Sequence, residues 1–488
     1  MLAWFAWFPL LAQVATPTAA SRVPTPFALG WTSGLVFWLM SISWLNHVTW
    51  LGMVSLCMFL ALYTACWSWF VATLRARWPR VHGVTHILLS LLCAAAWVAL
   101  EWLRGWIFGG FPWNFAAVSQ YRNLPLIQTA AWTGAYGVSF VILFFNVSLW
   151  FTWCRMKEER FAARSWRYEF SLALFLVAAL FFVGFHAIRH RSPETQSLKI
   201  GLIQPNIPQE VKFEPLRLED QLARLEGLTK QAAAFHPDLI LWPETALVDG
   251  PTYSDSSRRW LRELMKQIQI PILLGALDAE PDDTGSKPRW KYYNGAILLR
   301  PNGMWDPIYR KLHLVPFGEY LPLEKWFPWA RKFVPGVAIH EGQKPVLFHF
   351  RGARLGGLIC FEDTFPSLAR ALDREGVDIL VNLTNDAWFK KSPGAAMHAA
   401  NAVLRCVETR HPMIRCANSG YSLVIGPYGQ IVDSATPFEM GFKCTTVPYE
   451  EGTLLTFYSQ HGDWFAGICL AVSGIVVFFL FLEHRRKA

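Results

Sequence analysis

Two structural units are predicted: a multi-span α-helical membrane domain, and an α/β domain inserted between its sixth and seventh apolar segments. Three observations predict this. The 488-residue chain is 53% hydrophobic with 25 Trp and 36 Phe, more apolar and more aromatic than ordinary soluble chains. Seven stretches are long and apolar enough to cross a bilayer. Between the sixth and seventh, strand patterns alternate with helix patterns, the signature of an α/β layer fold. The formal net charge of +9 does not point to nucleic acid. Outside the central region the basic residues gather in short clusters between apolar runs, as in membrane loops.

A spanning helix needs about 20 mostly apolar residues. Residues 2–20 form the first stretch, interrupted by Pro9 and Pro17. Residues 23–74 carry no formal charge and hold two spans hinged near Asn46–Thr49. Residues 81–100, a segment within 123–154, and residues 170–188 are the fourth to sixth, so residues 1–190 form an N-terminal block of about six spans. Residues 464–482 are the seventh. Arg75, Arg77 and Arg80 form one basic cluster, Arg155, Lys157, Arg160, Arg164 and Arg167 a second, and Arg485 to Lys487 a third. With alternating spans all three fall on one side, which the positive-inside rule makes cytoplasmic. The region between Arg189 and Asp463 is then outside, and an odd count puts the N-terminus outside as well.

Residues 198–458 form the second unit. Leu198–Gln204 reads as a strand, residues 218–235 as a helix, Asp238–Trp242 as a strand, residues 256–269 as a helix and residues 270–277 as a strand. Residues 354–360, 377–383, 413–416 and 421–425 read as further strands, and residues 365–374 and 395–409 as helices. Pro427 to Gln430 is hairpin-like and predicts antiparallel pairing. The nine cysteines show no metal motif and no paired framework; a pairing among Cys406, Cys416 and Cys444 is left open. No metal or cofactor is expected.

Cys360 ends an apolar run, Arg354 to Ile359, and is followed by Phe361, Glu362 and Asp363. A thiol at a strand end, facing the first turn of a helix, is placed where a thiolate is favoured. A cysteine in an apolar run is usually an inert core residue, so its company decides. Glu244 follows Trp242 and Pro243 at another strand end, where desolvation raises proton affinity and suits a general base. Lys311, in a proline- and glycine-rich stretch, can stabilise the negative charge of an acyl-transfer transition state. Glu319, eight residues on, is expected to hold Lys311 or pair with the base, and Glu362 to support its neighbours. Carboxylate, amine and thiol in this order point to a thioester-forming enzyme. Asn385 and Trp388, in the polar and aromatic run after residue 382, look like site walls. Arg104, in the Glu101–Trp113 segment, is expected either at a lipid phosphate or paired with Glu101, because a charge at a membrane border is otherwise costly.

Taken together, Trp-Pro-Glu244, the Lys311–Glu319 stretch, Cys360-Phe-Glu362 and Asn-Asp-Ala-Trp388 resemble the apolipoprotein N-acyltransferases, membrane-embedded members of the nitrilase superfamily. The likeness runs over nearly the whole chain and includes Glu-Trp-Leu-Arg-Gly-Trp in the membrane block. The resemblance implies a nitrilase-like α-β-β-α sandwich facing the periplasm of the bacterial inner membrane. It implies a triad of Glu244 as proton acceptor, Lys311 at the oxyanion and Cys360 as nucleophile. It also implies a ping-pong reaction: Cys360 takes an acyl chain from a phospholipid, typically phosphatidylethanolamine, and passes it to the α-amine of the S-diacylglyceryl-cysteine that begins an apolipoprotein. A monomer is the expected state. The chain departs from the family in having Phe213 where relatives carry Trp, Phe361 where they carry Tyr, and seven spans where they carry eight. Both Phe residues keep a ring at the substrate site and lose a polar handle. The alternative is a membrane-tethered amidase that passes the acyl group to water.

Overall fold

The computed structural model describes residues 25–78, 83–158, 167–190, 195–282, 289–316, 318–320 and 338–487, with a few positions before residue 12. The chain divides into two compact units: Met1–Arg191 with Thr456–Ala488, and Ser192–Leu455.

The first unit is helical. Helices α1 (Pro26–Ser41), α2 (Trp50–Arg77), α3 (Val84–Arg104), α4 (Ala135–Glu158) and α5 (Arg167–Arg189) come before the second unit, and a final helix, Trp464–Lys487, comes after it. Among the described residues, five helices are long and apolar enough to cross a membrane: Trp50–Arg77, Val84–Arg104, Ala135–Lys157, Phe170–Arg189 and Trp464–Glu483. The pair expected over residues 23–74 is present as α1 and α2, broken by a 3-10 turn at Ser43–His47. However, α1 has only 16 residues, short of the usual spanning length. The stretch 2–20 lies mostly outside the described residues. Within 123–154, Gly134 at φ +67° separates two four-residue helices from α4. Close approach of α1 to α2 depends on small residues: a Cβ on Gly30 would lie 2.4 Å from Ser68 Oγ, and one on Gly34 2.9 Å from Thr64 Cβ. Small residues of this kind let helices pack where lipid offers no hydrophobic drive.

The basic residues expected in loops lie largely on helices. Arg75 and Arg77 occupy the last turn of α2, and Arg155 and Lys157 that of α4, where a cation complements the helix dipole. Arg80, Arg160 and Arg164 fall outside the described residues. Arg104 is buried in the last turn of α3 and donates to the carbonyls of Phe111 and Trp113. Its guanidinium lies 4.9 Å from the Trp38 ring centre and 5.2 Å from that of Phe115. Glu101, also buried, accepts from Ala116 N at 2.8 Å. The two charges thus shape the segment after α3.

The second unit is a sandwich of two six-stranded sheets. Strands β1 (Gln196–Gln204), β2 (Leu239–Leu241), β3 (Ile272–Asp282), β4 (Arg289–Leu299) and β5 (Tyr309–Arg310) form one sheet. The other contains β6 (Leu347–Phe350), β7 (Ala353–Ile359), β8 (Ile379–Thr384), β9 (Met413–Ala417), β10 (Leu423–Ile425) and β11 (Ile431–Ser434). β12 (Gly441–Tyr449) returns to pair antiparallel with β1. Each sheet has a parallel centre, β1-β2-β3 and β7-β8-β9. Parallel strands need crossovers, usually helices. Those helices are α6 (Leu218–Ala233) and α7 (Asp255–Ile268) for the first sheet, and α8 (Pro366–Arg374) and α9 (Pro393–Thr409) for the second.

Period-two alternation assigns the faces. Ile200, Leu202, Leu239 and Leu241 join Leu355, Ile359, Val381 and Ile414 in the core between the sheets. Ile203, Ile240 and Trp242 point the other way, into a core with Leu225 and Leu228 of α6 and Leu261 and Leu264 of α7. This is the α-β-β-α layering.

Candidate active site

Two of the expected site residues follow central parallel strands, as ligand-binding residues do at strand C-termini in α/β sheets, and the third follows the antiparallel edge strand β5. Glu244 follows β2 by three residues, and Lys311 follows β5 directly. Cys360 follows β7 and opens a 3-10 turn, Cys360–Thr364. All three are buried.

Lys311 is fixed from several directions. Its N–H donates to Asn294 O at 2.8 Å, and its ammonium donates to Glu319 Oε1 at 2.9 Å and lies 3.6 Å from Glu244 Oε1. Burial alone would lower its proton affinity, but Glu319 and Glu244 raise it well above that of an ordinary lysine. Glu319 is tied back by the Val315 N–H at 2.8 Å. Asn294, on β4, donates its amide to Glu244 Oε1 at 2.7 Å. Glu244 Oε2 is buried and has no hydrogen-bond partner among the described residues.

The pull on the Cys360 thiol runs against the thiolate expected from its strand-end position. Burial pushes the Cys360 thiol up, the Glu244 carboxylate adds to this, and Lys311 offsets only part of it. The expected helix is present as α8, but a 3-10 turn, Cys360–Thr364, separates it from Cys360. Phe365 adopts extended backbone before Pro366, since the residue before a proline disfavours the helical region. Little helix dipole is therefore aimed at the sulfur. Glu244 Oε2 is the buried carboxylate oxygen left without a partner among the described residues in this site.

Glu362 is a brace, as its expected supporting role requires. Oε1 accepts from the Leu312 and His313 N–H groups at 2.7 and 2.9 Å, and Oε2 from Tyr309 Oη and Ile359 N at 2.7 Å each. One carboxylate thus binds the lysine segment to the cysteine turn. Burial raises its proton affinity to about 7.

The remaining expected residues differ in character. Asn385 is buried; it accepts from Asn418 Nδ2 at 2.9 Å and donates to Gln209 Oε1 at 2.7 Å. Its amide joins three segments. Trp388 is half-buried, Phe213 is 54% exposed, and Phe361 packs edge-on against Phe365 at 5.1 Å. Arg104 belongs to the helical unit described above.

Sequence reasoning missed Lys212 and Asn294. Lys212 is buried, and its ammonium donates to the main-chain oxygen of Glu244 at 2.8 Å. Burial holds its pKa down to about 8 against the pull of Glu244 and Cys360. Its one signal was a lysine between the apolar Val211 and Phe213. Asn294 stands mid-strand in β4, just before the apolar run Ala296–Leu299, a place where a buried polar side chain needs a partner. Among the described residues, all nine cysteines are free thiols and no three His, Cys, Asp or Glu side chains are grouped as metal ligands.

The Carbon-nitrogen hydrolase family matches residues 199–453, and the Apolipoprotein N-acyltransferase N-terminal domain matches residues 1–148. The chain is 36% identical to the apolipoprotein N-acyltransferase of Geobacter metallireducens, covering 100% of this chain and 92% of that one. It is 29% identical to that of Chlorobaculum tepidum, with 99% and 92% covered. Among solved structures it is similar to an amidase from Nesterenkonia sp., at 21% identity and a TM-score of 0.39 over 54% of this chain and 92% of that one. The second unit is a nitrilase-like sandwich, and the chain belongs to the apolipoprotein N-acyltransferase family.

Proposed function

We propose that the protein transfers an acyl chain from a phospholipid, through a thioester on Cys360, to the free α-amine of the S-diacylglyceryl-cysteine that begins an apolipoprotein. Glu244 is the proton acceptor. As Sγ attacks the ester carbonyl, Glu244 Oε2 takes the thiol proton. The carbonyl-to-glycerol C–O bond breaks, and the departing oxygen takes that proton to leave a lysophospholipid. In the second step the amine attacks the thioester carbonyl and gives a proton to Glu244. The C–S bond breaks, and the sulfur recovers the proton. Lys311 faces the oxygen that becomes negative in each step, and Glu319 and Asn294 keep it and Glu244 in place.

The observation that supports this chemistry is the buried Oε2 of Glu244, without a hydrogen-bond partner among the described residues, in the same buried site as Lys311 and Cys360. Lys212, through the Glu244 main chain, is a positioning residue. The substrates follow from the activity that the full-length relatives bear by name, and the five apolar helices fit a lipid donor. In this reading the catalytic unit faces the periplasm from the inner membrane, phosphatidylethanolamine is the donor, and the protein acts as a monomer.

The test is transfer by the full chain in detergent. With phosphatidylethanolamine and a diacylated lipopeptide bearing a free N-terminus, triacylated peptide and lysophospholipid should form in equal amounts. Free fatty acid without acylated peptide would support the amidase reading, and absence of both products would overturn the enzymatic reading.

A further inference from the structure

Beneath the cysteine turn lies a buried ionic cluster that the mechanism above does not use. Cys360 has a left-handed backbone, φ +54°, a conformation an L-residue adopts at a cost and keeps only where its surroundings impose it. Its carbonyl oxygen accepts two buried side-chain donors, Asn382 Nδ2 at 3.0 Å and His398 Nε2 at 3.2 Å. Asn382 stands on β8, beside β7, paired in register with Leu358. His398 stands on α9.

His398 is itself held from both sides. Nδ1 lies 2.8 Å from Asp386 Oδ1 and 2.7 Å from Arg415 Nη2, and Nε2 lies 3.0 Å from Asp363 Oδ1. Arg415 Nη1 in turn lies 2.9 Å from Asp386 Oδ2. Two carboxylates face one guanidinium here, so an imidazolium balances the charge. Burial works against that charge, but Asp363 and Asp386 prevail over it and over Arg415, and raise the His398 pKa to about 9. Seven residues on, Arg405 donates to Thr364 O at 2.9 Å. Residues two turns apart share a helix face, so α9 holds the turn at its first residue and at its last.

We propose that His398 is a positioning residue for the nucleophile: with Asn382 it pins the Cys360 carbonyl and so keeps the cysteine in the left-handed conformation that presents Sγ to Glu244. Without this grip the turn relaxes toward ordinary backbone and the sulfur leaves the base. The inference rests on Cys360 being the nucleophile.

A matched pair of variants tests it, because glutamine places a donor near the Nε2 position and asparagine near Nδ1. Both remove the charge equally. Rates are read in the full chain in detergent as acyl-adduct formation on Cys360 from phosphatidylethanolamine. In parallel, iodoacetamide labelling is localised to the Cys360 peptide, a readout that survives if the acyl-transfer reading fails. His398→Asn should slow both by about 100-fold at unchanged donor KM, and His398→Gln should stay within about tenfold of the parent. Equal losses in the two variants, or rates that simply follow melting temperature, would overturn the proposal. If neither variant yields monodisperse protein, Asn382→Ala decides: about a tenfold slowing of labelling is expected, and an unchanged rate would contradict it.

Discussion

Lys212 sets stability against activity within one side chain. An ammonium taken out of water is costly unless several acceptors replace its hydration. Here the hydrogen bond it makes among the described residues is to Glu244 O. Replacing it with Met should therefore leave the melting temperature unchanged or raise it. The same change frees the Glu244 backbone, so adduct formation should fall about tenfold with donor KM within about twofold. Calorimetry and pre-steady-state mass analysis of Lys212→Met read the two effects separately. A variant that is less stable and fully active would contradict the assignment. Thr245, next to the base, has φ +48°, and a Cβ on Gly275 would lie 2.3 Å from Pro243 O. The base is thus held by backbone as much as by side chains.

At the scale of elements, α9 and β8 fix the turn that β7 delivers, and Glu362 ties that turn to the segment after β5. The α9 cluster predicts a pH signature. His398 has a folded pKa of about 9 against an ordinary 6.5. The folded state therefore binds this proton more tightly than the unfolded chain does. The stability it contributes is complete below pH 6.5 and is lost as pH rises to about 9. Melting temperature followed over that window should decline more steeply in the parent than in His398→Asn. Parallel curves would show that the imidazole is not charged in the fold.

Much of this layer was legible in the chain. Strands with clean apolar patterns, such as β1, β7, β8 and β9, appear within a few residues of their expected bounds, as do α6 to α9. β4 and β12 were not found, because Arg289–Tyr293 and Lys443–Thr446 mix charged and polar residues on strands whose exposed face tolerates them. Glu244 and Cys360 were legible as candidates because each stands after an apolar run, and Lys311 as the lysine of a proline- and glycine-rich stretch. The ionic cluster was not, since Asp363, Asp386, His398 and Arg415 lie far apart in sequence and each alone reads as an ordinary polar residue. The upward pull on the Cys360 thiol was also hidden: it comes from burial, which spacing does not report.

At the scale of the molecule, five long apolar helices and a carbon-nitrogen hydrolase sandwich share one chain. Soluble amides do not require such helices, whereas a fatty acyl donor lives in the bilayer they fit. In the proposed reaction the apolar unit is what favours a lipid-borne acyl group. The most direct test is the intact mass and peptide map of the full-length protein after incubation with phosphatidylethanolamine. One acyl chain should appear on the Cys360 peptide, be sensitive to hydroxylamine, and discharge when the diacylated lipopeptide is added. Glu244→Gln should show no adduct although Cys360 is present, and Cys360→Ala neither adduct nor product. Triacylated peptide formed by Cys360→Ala, or an adduct formed at the parent rate by Glu244→Gln, would contradict the account.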